Sequence, residues 1–258
     1  SDEYGPTGFY CKANNTTLNV LSGYVRGWDT TSHGTYTLDV TKMGLPATDC
    51  GTGDADTSND RFDLENADYI IMWSSNPAWS AAGTPINYWI NARDKGTKFV
   101  SIDPLYNASA QMLDAEWVPV RTGTDMALMF AVAYEMLRLD EEKGGIIDWD
   151  FLHKYTVGFD AESMPEDKTI DENLKDYILG KYDGTPKTPE WAEPICGVKP
   201  EQVTELAQIL SKNNKVMILH NYGMARCNGA EMLPQLLIAL GAMGGHMGKS
   251  GHATASAY

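Results

Sequence analysis

The stretch Tyr69-Ile70-Ile71-Met72-Trp73-Ser74-Ser75-Asn76-Pro77, with Lys98-Phe99-Val100-Ser101-Ile102-Asp103-Pro104 downstream of it, decides the fold. Each is a short apolar run cut off by a polar turn, which is how a strand buried on both faces reads. Between them, Thr84–Lys95 sets Ile86, Trp89, Ile90 and Ala92 along one helical stripe and stops at Gly96. Strand, helix and strand in that order make a βαβ unit, whose two strands run parallel. Working outward, Trp117-Val118-Pro119-Val120 reads as a strand that its Pro confines to a sheet edge. Thr124 and Asp125 then offer N-caps to an apolar helix from about Met126 to Leu139. Pro200–Lys212 is helical with Val203, Leu206, Ala207 and Leu210 on one face, Lys215–His220 is a strand, and Gly229–Met243 is helical again. The alternation predicts an α/β fold: a doubly wound, largely parallel, Rossmann-like sheet with helices on both faces.

Residues 1–60 differ in composition, being rich in Gly, Thr, Asn and Asp, and 51–60 is almost pure loop. We assign 1–60 to a neighbouring domain of a longer parent and 61–258 to the sheet domain. Within the latter, about 140–195 is expected to be a peripheral insertion, with acidic turns, a short helix at Trp149–Tyr155 and a turn at Asp183–Pro186. The chain opens on Ser1-Asp2-Glu3, with no initiator Met or signal peptide, and reads as a piece of something longer.

The 258 residues include 20 Lys or Arg against 35 Asp or Glu, a formal net charge of -15 that disfavours nucleic acid or an anionic membrane as partner. With 43% hydrophobic and 21% charged residues the chain has an ordinary globular composition, and no apolar run is long enough to insert into a bilayer. Cys11, Cys50, Cys196 and Cys227 form no C-x-x-C pair and are expected as free thiols; His33, His153, His220, His246 and His252 form no H-E-x-x-H. A metal cage built by this chain alone is therefore not expected.

In open α/β sheets ligands bind at the carboxyl ends of the strands. Three such ends carry polar or flexible residues: Ser74–Pro77, Asp103–Asn107 and His220–Arg226. Thr122-Gly123-Thr124-Asp125 precedes a helix, whose first backbone N–H groups can hold an anion. Asp103 suits a ribose or base, and Arg121 or Arg226 suits a phosphate. Their coincidence on one edge points to a nucleotide-like ligand. No G-x-G-x-x-G follows a strand, and Gly248-Lys249-Ser250 is not a P-loop, because Met243 stands where the first Gly belongs and a helix precedes it. The glycines from Gly241 to Gly251 instead suggest a loop permissive for close approach to a ligand. Asn107-Ala108-Ser109 matches a glycosylation acceptor that is expected to be idle, and Trp73, Trp79, Tyr88 and Trp89 read as core or interface.

These strand ends resemble those of the molybdopterin oxidoreductases of the dimethyl sulfoxide reductase family. The resemblance rests on Trp73–Pro77, Ile102–Pro104, Asp114–Leu128, Phe151–Asp160 (FLHKYTVGFD), Lys187–Val198 (KTPEWAEPICGV), Asn221–Arg226 and the glycines from Gly244 to Gly251, all in the family's order. It is most similar to the anaerobic dimethyl sulfoxide reductase catalytic subunits. The resemblance implies a bis(molybdopterin guanine dinucleotide) enzyme performing two-electron oxygen-atom transfer, reducing dimethyl sulfoxide or a related S- or N-oxide. It implies that Ser75, Asn76 and Pro77 lie against the dinucleotide, that Asp103 and Asp125 meet its guanosine end, and that Thr122, Gly123 and Thr124 shape the pocket. Tyr222, Gly223 and Met224 would line the approach to the metal. A segment resembling G-Y-x-x-x-x-G-D-Y-S, Gly23–Ser32, aligns without a gap to put Ser32 at the position of the protein's molybdenum ligand and catalytic residue; a shift of one puts Thr31 there, with Asp29 on the motif's Asp.

Because the family's cysteine-rich iron–sulfur segment and its C-terminal pterin-gripping domain have no counterpart here, the isolated fragment is expected to be inactive and to carry no cofactor. The resemblance further implies an iron–sulfur electron-transfer subunit and a membrane anchor subunit as partners, at the outer face of the bacterial cytoplasmic membrane in the cell envelope. Two other readings compete with it. One is a free-standing nucleotide-binding module akin to the central domain of thiamine-diphosphate enzymes; the other is a non-catalytic partner-binding subunit.

Overall fold

The computed structural model describes residues 61–80, 86–168, 171–220 and 233–256. After a 3-10 turn at Arg61–Asn66 the chain forms β1 (Tyr69–Trp73), α1 (Pro77–Ser80), α2 (Ile86–Asp94), β2 (Lys98–Ile102), α3 (Ala108–Met112) and β3 (Glu116–Val118). There follow α4 (Asp125–Lys143), α5 (Trp149–Tyr155), α6 (Leu174–Ile178), α7 (Pro189–Cys196), α8 (Pro200–Ile209), β4 (Val216–His220), α9 (Leu233–Met243) and β5 (Ala253–Ser256).

The five strands lie in the order β3-β2-β1-β4-β5, and every neighbouring pair is parallel. That is the doubly wound order, in which the chain builds outward from β1 in one direction and then returns to build in the other. The apolar runs explain it. Side chains alternate across a strand, so Ile71 and Trp73 face one layer of helices while Ile70 and Met72 face the other. The first layer buries Val100, Ile102 and Val118 under residues of α4, α7, α8 and α9; the second buries Phe99, Met217 and Leu219 with Trp89, Ala92 and Ala110. Both faces are covered, as a parallel sheet requires.

Local signals set the ends of the helices. Asn107 caps α3 by accepting from Ala110 N, Thr188 caps α7 by accepting from Trp191 N, and Pro189 occupies the first turn of α7. Gly197 closes α7 in the left-handed region at φ 79°. The β3 ladder ends at Val118, one residue before Pro119, and β3 is an edge strand as its Pro demands.

Residues 140–195, expected at the periphery, contribute Ile147, Leu152, Phe159, Ile178 and Ala192 to the main core. They belong to the long connection between β3 and β4, and α7 packs on α4 within it. Among the described residues no helix is long and apolar enough to cross a membrane.

Candidate functional site

Since all five strands are parallel, their carboxyl ends share one edge of the sheet. The order reverses between β1 and β4, which makes the crevice beside the end of β1 the place where such sheets bind ligands. The chain turns sharply there. Ser74 adopts φ 52°, an uncommon conformation for a residue with a side chain, and its N–H is held by Ile102 O at 2.9 Å. Ser75 follows, 1% exposed, and its Oγ has no hydrogen-bond partner. A buried hydroxyl without a partner is costly unless something else supplies one.

Asn76 is braced from the next loop. Ser109 Oγ donates to Asn76 Oδ1 at 2.7 Å and accepts from Ala78 N at 2.9 Å. The Asn107-Ala108-Ser109 triplet that reads as an idle glycosylation acceptor is thus a helix cap followed by a cross-brace to the β1 turn. An Asn directly before a short helical run was the available signal. Asp103, after β2, folds its own loop: Oδ1 accepts from Leu105 N at 2.9 Å and Oδ2 from Asn107 Nδ2 at 3.2 Å, while Trp117 Nε1 donates to its carbonyl at 2.8 Å.

After β3, Arg121–Thr124 turns into α4. Thr124 N and Oγ1 both donate to Arg121 O, and Gly123 takes φ 77°, which favours glycine. Asp125, the first residue of α4, is buried, and Trp73 Nε1 donates to its Oδ1 at 2.9 Å. Burial pushes the Asp125 carboxyl up, the bond from Trp73 pulls it down, and the nearby Asp103 carboxylate adds to the rise. This contact joins the end of β1 to the start of α4 and was not visible in the sequence, since its partners stand 52 residues apart.

The structure therefore brings Ser75, Asn76, Pro77, Asp103, Thr122, Gly123, Thr124 and Asp125 to one edge, each directly after a strand or at a helix start. Tyr222, Gly223, Met224 and Arg226 lie outside the described residues, as do Ser32 and its alternatives Thr31 and Asp29. Two expectations are corrected. Arg121 Nη1 donates to Pro194 O and Ile195 O, so this guanidinium closes the C-terminus of α7, where unpaired carbonyls and the helix dipole attract a cation. The glycine-rich loop after α9 approaches the protein's own backbone at the opposite edge: a Cβ on Gly244 would collide with Leu210 O and with His246.

That opposite edge is tightly bonded. His246 is fully buried, with Nε2 against Leu210 O at 2.8 Å and Nδ1 against His252 Nδ1 at 3.2 Å. Burial, His252 and Lys249 lower its pKa to about 4. Asp63 accepts from Gly251 N and Ser250 Oγ. A polar cleft of about 420 Å³ also opens on this side, lined by Glu65, Asp68, Lys95, Lys98 and Asn214, but its charges include the Lys95–Glu65 pair and none of the residues discussed above. We therefore place the candidate site at the carboxyl edge, following the chemistry rather than this cleft.

Comparison with known proteins places most of the chain in one family. Residues 13–252 match the family model described as molybdopterin oxidoreductase. The chain is 31% identical over 269 residues to trimethylamine-N-oxide reductase of Haemophilus influenzae, covering 97% of this chain and 30% of that protein. It is 32% identical over 238 residues to dimethyl sulfoxide reductase DmsA of the same organism, covering 91% of this chain and 28% of that one. The chain thus spans less than a third of the length of these relatives. Among solved structures, acetylene hydratase from Pelobacter acetylenicus superposes with a TM-score of 0.60 over 86% of this chain and 25% of its own, at 17% identity, a likeness of fold alone.

Proposed function

The chain belongs to the molybdopterin oxidoreductase family, and from that premise we propose that it is part of a molybdenum-dependent reductase of S- or N-oxides, its carboxyl edge holding one guanosine arm of a bis(molybdopterin guanine dinucleotide). The observation that carries this reading is the gathering of Ser75, Asn76, Asp103 and Asp125 at the strand ends, with a buried Ser75 hydroxyl that no protein group satisfies. The residues fit such a group. Guanine offers N1–H and N2–H₂ donors, and the carboxylates of Asp103 and Asp125 are acceptors of the matching kind. Ser75 Oγ would complete its bonding on the dinucleotide. Asn76, braced by Ser109, would present its amide to the same ligand.

When bound, the molybdenum centre supplies two-electron oxygen-atom transfer. This chain's own contribution at the described edge is to bind and orient. Burial of Trp73 and Asp125 keeps water from the hydrogen bonds that fix the base. Ser32, with Thr31 and Asp29 as alternatives, remains our assignment for the metal ligand, and Tyr222, Gly223 and Met224 for the metal approach. An iron–sulfur subunit and a membrane anchor, at the outer face of the cytoplasmic membrane, are the partners that this reading proposes.

Two measurements test it. The full-length, cofactor-loaded enzyme that contains this chain, assayed with a reduced viologen dye as electron donor, should oxidise the dye on addition of trimethylamine N-oxide or dimethyl sulfoxide. Titration of the chain with guanosine diphosphate should show binding that adenosine diphosphate does not reproduce. Dye oxidation by neither oxide would overturn the substrate class, and equal binding of both nucleotides would overturn the guanosine site.

A further inference from the structure

The Trp73–Asp125 bond has a role beyond holding two elements together. We propose that Trp73 is a positioning residue for Asp125, its indole N–H fixing the carboxylate in the orientation in which it reads guanine. The proposal rests on the reading that Asp125 meets the guanosine.

Both partners are immobilised by the fold. Trp73 ends β1, paired on one side with Ile102 of β2 and on the other with His220 of β4, and is 1% exposed. Asp125 is the first residue of the 19-residue α4 and is 6% exposed. Nε1 lies 2.9 Å from Oδ1. An indole is a donor with no acceptor, whereas an ionised carboxylate offers about four lone-pair sites on two oxygens. The bond from Trp73, with the one the carboxylate accepts from its own backbone N–H, restricts its rotation and leaves lone pairs on its two oxygens for two parallel donors. Guanine presents such a pair in N1–H and N2–H₂, and adenine does not.

The same bond bears on ionisation. Burial first, and then the Asp103 carboxylate, favour the protonated acid, while the indole N–H and Asp125's own backbone N–H favour the anion. Protonated Asp125 would present an O–H toward guanine N1–H, donor against donor. Removing the indole N–H therefore has two consequences: a carboxylate free to rotate, and one that protonates at higher pH.

The test uses Trp73→Phe, which keeps an aromatic ring in the core, and Asp125→Asn, with guanosine diphosphate and adenosine diphosphate as probes from pH 5 to 8. For wild type we expect guanosine selectivity that Asp125→Asn abolishes. For Trp73→Phe we expect affinity for guanosine diphosphate to fall about tenfold at neutral pH, in the range for loss of a charge-assisted bond. We also expect its binding to fail at higher pH than wild type and to recover partly as pH rises. A merely structural Trp73 would lower the melting temperature without moving the pH profile, and that result overturns the proposal. Absence of guanosine selectivity in wild type instead overturns the underlying site reading, and the two failures are distinct. Should Trp73→Phe not fold, pH titration of the Trp73 indole N–H resonance in wild type reads the same link. Its midpoint should move down on saturation with guanosine diphosphate, and an unmoved midpoint overturns the proposal.

Discussion

His246 should make this fold sensitive to acid, by an amount the structure sets. Its Nε2–H donates to Leu210 O, so in the neutral ring Nδ1 is an acceptor, and His252 Nδ1–H fills it. Protonation would turn that acceptor into a donor facing a donor, inside a site where a Cβ on Gly244 already has no room. The groups facing the ring are His252 and Lys249, which disfavour its charge, and Asp148, which favours it. The folded pKa of about 4 lies below the ordinary value of 6.5, so between these values the unfolded chain binds the extra proton and stability rises with pH. The contribution is complete above about pH 6.5, declines as pH falls, and is gone below about 4. At 1.36 kcal/mol for each pH unit in that interval it amounts to about 3 kcal/mol. Urea unfolding followed by far-UV circular dichroism at pH 7, 6, 5 and 4 should be run on wild type and on His246→Gln, whose amide keeps a donor for Leu210 O. The variant is less stable at pH 7, and the gap should narrow by about 3 kcal/mol toward pH 4. The acidic residues titrate in both proteins and cancel in the difference. Parallel stability curves from pH 7 to 4 would refute the reasoning.

Other consequences can be checked in the same way. Ser75→Ala should leave the unliganded chain as stable as wild type or stabilise it by about 0.5–1 kcal/mol, because it deletes a buried hydroxyl that has no partner; a clear loss of stability without ligand would show that the hydroxyl serves the fold. Arg138→Leu should destabilise by about 2 kcal/mol in urea unfolding, since Glu135 is buried and receives two guanidinium bonds plus one from Thr204 on α8. Much of that loss should be recovered by Thr204→Val together with Glu135→Leu in the Arg138→Leu background, which removes the stranded carboxylate and its last donor. Gly244→Ala should cost more than about 2 kcal/mol, with loss of the His246 titration, because the new methyl meets Leu210 O and His246.

The sheet was legible because buried parallel strands advertise themselves. Tyr69–Trp73, Lys98–Ile102 and Val216–Leu219 are short, largely apolar runs followed by polar residues, and they lie in the three central strands. The elements that escaped notice have weaker local signals. Ala253-Thr254-Ala255-Ser256 is made of small residues and is a strand because β4 supplies a ladder beside it. Pro189–Cys196 contains Pro194 within the helix, a residue that reads as a breaker, yet Thr188, Pro189 and Gly197 supply both ends and the helix forms. The apolar residues of 140–195 are widely spaced among acidic turns and carry a weak local signal, although α6 and α7 pack on α4 and α5 on α9. At the candidate site, placement at the carboxyl edge followed from position after strands, whereas pairing did not: nothing local to Trp73 or to Asp125 announces the other. Arg121 was misread for the converse reason, since a cation beside a turn looks the same whether it meets a phosphate or a helix C-terminus.

The two edges of the sheet differ in how their polar groups are satisfied, and the difference bears on how an acidic chain would hold an anion on the proposed reading. At the amino edge polar groups are satisfied within the protein: His246 by Leu210 and His252, Asp63 by Ser250 and Gly251, and Asp68 by Lys215 N at 2.8 Å. These bonds tie β1, β4 and β5 together where the strands begin. At the carboxyl edge the balance is different. Ser75 lacks a partner, Ser74 holds an uncommon backbone conformation, and two carboxylates stand close enough for Asp103 to raise the pKa of Asp125. Unsatisfied polar groups and like charges destabilise a free fold, and here they coincide with the switch point of the sheet. With a net charge of -15 the chain is a poor general attractor for an anionic dinucleotide. On the proposed reading, affinity would come from local donors such as the Ser75 hydroxyl and from the base itself, whose donors would relieve the Asp103 and Asp125 carboxylates. A site of that kind should depend less on salt than one built from lysines.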